Sequence, residues 1–241
     1  VSLLKSLLLY EDDDLFVVDK PALLHSVQLG PAGGDSVADL LLQSYPQLSE
    51  VAPKKGDAGL VQRLDFSTSG LLLGAKSREN WSALHDQLLK GTILKSYVAL
   101  VHGTPADSTE IKTFIGSPYR HPKKMRVYEN EPPKSHRALP GNTTIRLLEP
   151  IGQSFSLVQA FASPARRHQI RIHCAHISHT LVGDALYGSP ADFRSLLGID
   201  RDFFLHAAEI EFCHPRTSMT IAITSPYEQP AQLFRSQLPA H

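Results

Sequence analysis

Two short stretches, about a hundred residues apart, carry the residue types in this chain that can do chemistry. In the first, Arg63-Leu64-Asp65 runs through Phe66-Ser67-Thr68-Ser69-Gly70 into the apolar Leu71-Leu72-Leu73. That order places a lone carboxylate on a tight polar turn just ahead of a strand, which is how a fold presents a reactive side chain at the rim of its core. The second, Arg166-Arg167-His168-Gln169-Ile170-Arg171-Ile172-His173, supplies several cations. A carboxylate beside an arginine stays ionised, because the opposite charge lowers its pKa. Such an Asp65 can act as a nucleophile or as a base.

The elements that must position these groups follow from periodicity. Alternation and β-branched or aromatic residues predict strands at Leu15-Val18, Tyr97-Val101, Thr143-Leu148, Phe155-Ala160 and Met219-Ile223. A helix is predicted between Ser77 as N-cap and Gly91 as C-cap, with Trp81, Leu84 and Leu88 on one face. A second covers about His168 to Ser178, with Ile170, Cys174 and Ile177 on a single apolar stripe. In that helix Arg167 and Arg171 are surface neighbours four apart, near an N-terminal end that favours anions. A short helix is expected from Pro190 to Leu197. Many strands with few helices make the class α+β.

Composition describes an ordinary globule, 42% hydrophobic and 20% charged, read as one domain over residues 1–241. Its apolar runs are too short to span a bilayer as helices, and no secretory signal stands at the N-terminus. Cys174 and Cys213 form no close pair and are read as reduced, buried thiols of a cytoplasmic protein. A formal net charge of zero argues against indiscriminate nucleic-acid binding, but the charge is unevenly spread. Glu11, Asp12, Asp13 and Asp14 concentrate acid near the start. Arg120, Lys123, Lys124, Arg126, Lys134 and Arg137 concentrate base in a loop or irregular hairpin at about 116–141. That segment either grips RNA or is a solvated connection.

The two stretches resemble the RluA-type branch of the pseudouridine synthases, whose signature is approximately His-Arg-Leu-Asp-x-x-Thr-Ser-Gly-Leu-Leu-Leu, followed far downstream by Gly-Arg-Thr-His-Gln-Ile-Arg-x-His. Further agreements occur in order: Tyr10 through Pro21, Lys95-Ser96-Tyr97-Val98-Ala99-Leu100-Val101-His102-Gly103, Ile177 through Gly188, and Leu205-His206-Ala207 with Phe212 and His214-Pro215. The resemblance spans about residues 8 to 225, and ordered agreement of many motifs is more specific than any one of them. Gln62 stands where the pattern has His, Ala165 where it has Gly and Arg167 where it has Thr. The segment Lys20-Pro21-Ala22-Leu23-Leu24-His25-Ser26 is shorter than the usual Lys-Pro-x-Gly-hydrophobic-hydrophobic-x-His pattern.

The resemblance implies a mixed, largely antiparallel central sheet flanked by helices and loops around a catalytic cleft, without an evident N-terminal RNA-binding module. It implies isomerisation of uridine to pseudouridine in structured RNA, ribosomal or transfer, with base flipping and no cofactor, and we expect a monomer. Asp65 takes the place of the catalytic aspartate, Tyr97 of the active-site tyrosine and Arg171 of the arginine that pairs with the aspartate. Arg63 matches the position that can enter the RNA stack as the uridine leaves. Thr68, Arg166, His168 and Gln169 are assigned to substrate binding or its support. Two competing readings remain open. One is a noncatalytic RNA-binding protein or RNA chaperone on the same fold. The other is a metal enzyme built on His168, His173, His176 and His179 beside Cys174, which helical geometry and the lack of a His-Glu-x-x-His motif disfavour, so no metal is expected.

Overall fold

The computed structural model describes residues 2–28, 35–120, 123–189, 193–198 and 200–226. The chain divides into two compact units, Val1–Leu94 with Ala207–Ser225, and Lys95–His206.

The first unit opens with helix α1 (Ser2–Leu7) and an antiparallel hairpin of β1 (Leu8–Glu11) and β2 (Leu15–Lys20). Asp12 makes the turn, its Oδ1 accepting from the N–H groups of Asp14 at 2.8 Å and Leu15 at 2.9 Å. Helix α2 (Val37–Ser44) begins with a capping box between Ser36 and Asp39. Strand β3 (Ser69–Ala75) pairs antiparallel with β2 and is buried at every position. Its Leu71, Leu72 and Leu73 each contribute about 2 kcal/mol by leaving water. Two glycines let the strand pack on both faces. At Gly70, with φ of 109°, a Cβ would lie 2.3 Å from the Ala207 carbonyl oxygen, and at Gly74 the Phe16 ring fills the space a side chain would take. Helix α3 (Arg78–Lys90) is capped as its sequence predicts: Ser77 accepts from the Asn80 N–H, and Gly91 closes the last turn in the left-handed region.

The second unit is built on β4 (Leu94–His102), β5 (Ser108–Gly116), β6 (Arg126–Tyr128), β7 (Leu139–Ile151) and β8 (Phe155–Phe161). They hydrogen-bond in the order β4-β8-β7-β5-β6, each pair antiparallel. In the basic segment, β6 folds back on the end of β5, and a single 3-10 turn at Lys134–His136 leads into β7; positions 121–122 lie outside the described residues. Helix α4 (Gln169–His176) packs on β6 and β7. Helix α5 (Phe193–Leu197) falls where a short helix is expected, although positions 190–192 of that expectation lie outside the described residues.

The chain returns to the first unit through β9 (Leu205–Cys213), which pairs antiparallel with β10 (Thr220–Thr224). Antiparallel pairing with few helices is the α+β class read from the sequence. The five predicted strands all form, four of them extended at one or both ends and the last shifted by one residue to Thr220–Thr224. No Pro- or Gly-rich linker marks the unit boundaries at Leu94 and Ala207, which both fall within strands. Both cysteines are free thiols. Cys174 is buried as expected, whereas Cys213 is exposed, because the outward-facing alternation of β9 reaches its last residue.

Candidate active site

Asp65 begins a hydrogen-bonded turn: its carbonyl accepts from the Thr68 N–H at 3.1 Å, one residue before β3 starts. The turn is clamped from below by the segment that follows β2. Lys20 Nζ, fully buried, donates to the carbonyls of Pro21 at 2.9 Å, Leu24 at 2.7 Å and Phe66 at 3.2 Å. The Leu23 N–H donates to the same Phe66 carbonyl at 2.9 Å. Ser26 Oγ donates to the Leu64 carbonyl and accepts from the Leu64 N–H, both at 2.9 Å. Leu23 holds φ of 61°, a left-handed conformation costly for a bulky residue.

On this turn Asp65 is half-buried, Arg63 and Phe66 are exposed, and Thr68 is 2% exposed. The Phe66 ring lies 4.6 Å from that of His25, tilted by 39°. Gln62, at the position where the pattern has His, turns inward and donates to the Leu71 carbonyl at 3.4 Å. The first unit therefore gathers Arg63, Asp65 and Thr68 on one rigid support.

The second unit carries the rest. Tyr97 sits in the middle of β4 opposite Ala160 and is 6% exposed. Lys95, two residues earlier and so on the same strand face, is buried, and burial pushes its ammonium down to about 8. Arg171, on α4, is 7% exposed and makes a side-on fork with Asp184: Nε to Oδ2 at 2.7 Å and Nη2 to Oδ1 at 2.9 Å. The guanidinium carbon lies 4.5 Å from the Phe203 ring centroid and 5.3 Å from that of Tyr187. Asp184 thus takes two of the five guanidinium donors in a planar, two-pronged contact. A buried pair of this kind is geometrically firm, since removing either partner strands a charge at a cost of about 3–5 kcal/mol.

The start of α4 differs from the sequence expectation. Its N-cap is His168, in the left-handed region at φ of 57°, so Arg167 precedes the helix and is not a surface neighbour of Arg171. Gln169, 2% exposed, secures this entry. Its Oε1 accepts from the Arg166 N–H at 2.8 Å, and its Nε2 donates to the Asn142 carbonyl at 2.7 Å and Thr143 Oγ1 at 3.0 Å. Both of its amide protons and its carbonyl oxygen bond to protein, which fits support of the site rather than contact with a substrate. Arg166 Nε donates to the Pro140 carbonyl at 3.1 Å, and His168 Nδ1 shares a 2.9 Å hydrogen bond with the Tyr187 hydroxyl. Nor does α4 carry a single apolar stripe. Residues 169 to 174 are all buried, because polar partners on other elements accept Arg171 and His173 into the interior.

Of the clustered histidines, His168, His173 and His179 have partners of their own. His173 lies between Thr113 Oγ1 at 2.9 Å and Thr143 Oγ1 at 2.7 Å, and burial holds it down to about 4. His179 Nδ1 donates to the His102 carbonyl at 2.8 Å. Burial pushes the Cys174 thiol up to about 12, which makes it a poor metal ligand. Among the described residues the group with metal-ligand spacing is instead Asp12, Asp14 and His214 of the first unit. Its oxygens already serve protein donors. Asp12 Oδ2 accepts from the Tyr10 hydroxyl at 2.7 Å and contacts His214 Nε2 at 3.1 Å, and Asp14 Oδ2 takes Arg216 Nε at 2.5 Å. Burial raises the Asp12 carboxyl, but hydrogen bonds from Tyr10, the Asp14 and Leu15 N–H groups and His214 outweigh it and hold the group at about 2.

Lys20, Asp184 and Tyr187 are the site residues that the sequence analysis left without a role. The available signals were a lysine ending an apolar strand and an aspartate ending the run Leu181-Val182-Gly183.

The family model described as RNA pseudouridylate synthase matches residues 14–176, which include Asp65, Tyr97 and Arg171. A ribosomal large subunit pseudouridine synthase D of Nitrosomonas europaea is 34% identical over 226 residues, covering 91% of this chain and 61% of that protein. The chain thus spans less than two thirds of that relative's length. A ribosomal large subunit pseudouridine synthase C of Haemophilus ducreyi is 31% identical over 242 residues, covering 100% of this chain and 71% of that one. Among solved structures, human RNA Pseudouridylate Synthase Domain Containing 4 shares the fold with a TM-score of 0.72 at 18% identity, covering 98% of this chain and 94% of that one. With this model matched over most of its length and a relative covered to 71%, the chain belongs to the RNA pseudouridylate synthase family.

Proposed function

We propose that the chain isomerises uridine to pseudouridine in structured RNA, with large-subunit ribosomal RNA as the substrate class. The observation that carries this reading is Asp65 itself, an acidic side chain on a turn fixed by the buried Lys20 and by Ser26, inside the stretch that resembles the synthase signature. The names of the two bacterial relatives support ribosomal over transfer RNA. The reaction detaches uracil at nitrogen 1, turns it and reattaches it through carbon 5. It is redox-neutral, so it needs no external electron carrier.

Asp65 provides the carboxylate that attacks, or assists departure of, the base. Tyr97 stacks on the flipped uracil, and its phenol takes part in removing the carbon 5 proton after rotation. Arg171 takes the role of the arginine that serves the aspartate in the resembling pattern. Arg63, exposed two residues from Asp65, fills the gap that the flipped nucleotide leaves. Arg166 and His168 contribute to RNA contact at the entry to α4, with Thr68 and Gln169 supporting the site.

The test is pseudouridine mapping of total RNA from cells with and without the protein, followed by reaction of the purified chain on the RNA that changes. Asp65→Asn removes the charge with little change of volume and is expected to abolish isomerisation while keeping the fold and RNA binding. Turnover near wild type by folded Asp65→Asn would refute the assignment.

A further inference from the structure

The 3-10 turn Ala185–Tyr187 places two grips on Arg171 in one short element of the second unit. At its head Asp184, 2% exposed, holds the guanidinium by two hydrogen bonds. At its end Tyr187, 6% exposed, lays its ring 5.3 Å from the same guanidinium. The two residues move as one, because the Asp184 carbonyl accepts from the N–H groups of both Tyr187 and Ser189 at 3.1 Å.

Tyr187 also reaches the basic segment. Its hydroxyl accepts from the Met125 N–H at 3.0 Å, and the Lys124 ammonium stands 5.2 Å from its ring centroid. The hydroxyl meets His168 Nδ1 as well, so one phenol touches the segment before β6 and the N-cap of α4. Beneath it, Tyr187 packs with Ile115 and Ile172, while Met125 and Val127 close over this cluster. A buried aromatic with a polar tip suits such a junction, since the ring fixes position by packing and the hydroxyl reads backbone placement. Lys124 itself is exposed, as a cation that meets phosphate must be.

We propose that Tyr187 is a positioning residue that couples RNA seated on the basic segment to Arg171, so that phosphate binding at Lys124 and the final placement of the Arg171 guanidinium are one event. This rests on the reading of Arg171 as the residue that serves Asp65. A lysine that only grips phosphate changes affinity and leaves the rate at saturating RNA intact. One that acts through Tyr187 changes both.

The experiment measures single-turnover tritium release from uridine labelled at carbon 5 in an unmodified large-subunit ribosomal RNA transcript, at saturating protein. Tyr187→Phe keeps the ring and removes the hydroxyl, and should lower the rate about tenfold with the fold retained. Lys124→Ala should weaken binding and also lower the saturating rate about threefold in the wild-type background, but not in Tyr187→Phe, because coupled sites are non-additive. A second readout needs no turnover: the Arg171 Nε–H resonance, monitored while a polycytidine strand is added. It should shift in the wild type and lose at least half of that shift in Tyr187→Phe. Independent, multiplying effects of Lys124→Ala and Tyr187→Phe on the saturating rate, or an equal Arg171 shift in both proteins, would overturn the coupling. Asp65→Asn measured alongside separates the two readings. A wild-type rate in Asp65→Asn removes the function assigned to Asp65 and leaves the Arg171 spectrum to decide on Tyr187.

Discussion

The ammonium of Lys20 lies 3.2 Å from the carbonyl of Phe66, so a fully buried charge fastens the residue next to Asp65 to the end of β2. Lys20→Met keeps the volume and removes three donors at once, leaving the carbonyls of Pro21, Leu24 and Phe66 without them. We expect a stability loss of about 3 kcal/mol. Isomerisation should fall about a hundredfold, because a displacement of an ångström at a reacting group is enough for that. Urea unfolding and single-turnover rates on the same preparation check both, and a variant that is less stable yet fully active would show that the clamp does not position Asp65.

Tyr97→Phe tests whether the β4 tyrosine acts through its hydroxyl. The ring is buried and stays in place, so RNA affinity should be retained. Loss of a group that moves a proton lowers the rate by about 10²–10⁴-fold. A change of less than about threefold would leave stacking as the whole role of the side chain.

Arg63→Ala should reduce turnover more on a uridine held in a folded stem-loop than on the same uridine in a flexible strand, by about tenfold. Unstacking a nucleotide costs a few kcal/mol, and a planar cation in the gap recovers part of it. Equal losses on the two RNAs would leave Arg63 as structural support.

His173 makes stability depend on pH. Burial lowers its folded pKa to about 4, below the usual 6.5, so the unfolded chain binds the proton more readily. The contribution is present above the unfolded value and is lost as pH falls from about 6.5 towards 4, amounting to about 3 kcal/mol. His206, also lowered to about 4 chiefly by burial, acts in the same direction. The urea midpoint should therefore drop between pH 7 and pH 5. An NMR titration in which the His173 ring protonates near pH 6.5 in the folded protein would contradict a neutral imidazole between Thr113 and Thr143.

What could be read from the sequence divides by range. Helix α3 was legible to the residue, since Ser77 and Gly91 act on backbone groups within the same few positions. The Asp65 turn was legible for the same reason: its closing hydrogen bond spans three residues. The interior of α4 was not. Arg171 and His173 are buried there because their partners arrive from 13, 60 and 30 residues away in Asp184, Thr113 and Thr143. The break at His168 was hidden likewise, because the Gln169 side chain that secures it takes its bonds from Asn142 and Thr143. Local motifs and the resemblance pointed to Asp65, Tyr97 and Arg171, and only long-range pairing showed what holds the Asp65 turn and Arg171 still.

The burial of β3 on both faces has a kinetic consequence for the turn ahead of it. The Thr68 amide, which closes the Asp65 turn, is one residue from a strand with every position out of water and with Gly70 pressed against the Ala207 backbone. Opening that turn means lifting the first residues of a core strand, so its amide should exchange with solvent in the slowest class, near the rate set by global unfolding. Asp65 then belongs to the last part of the first unit to come apart, and its carboxylate keeps its geometry through every partial opening of the surface loops.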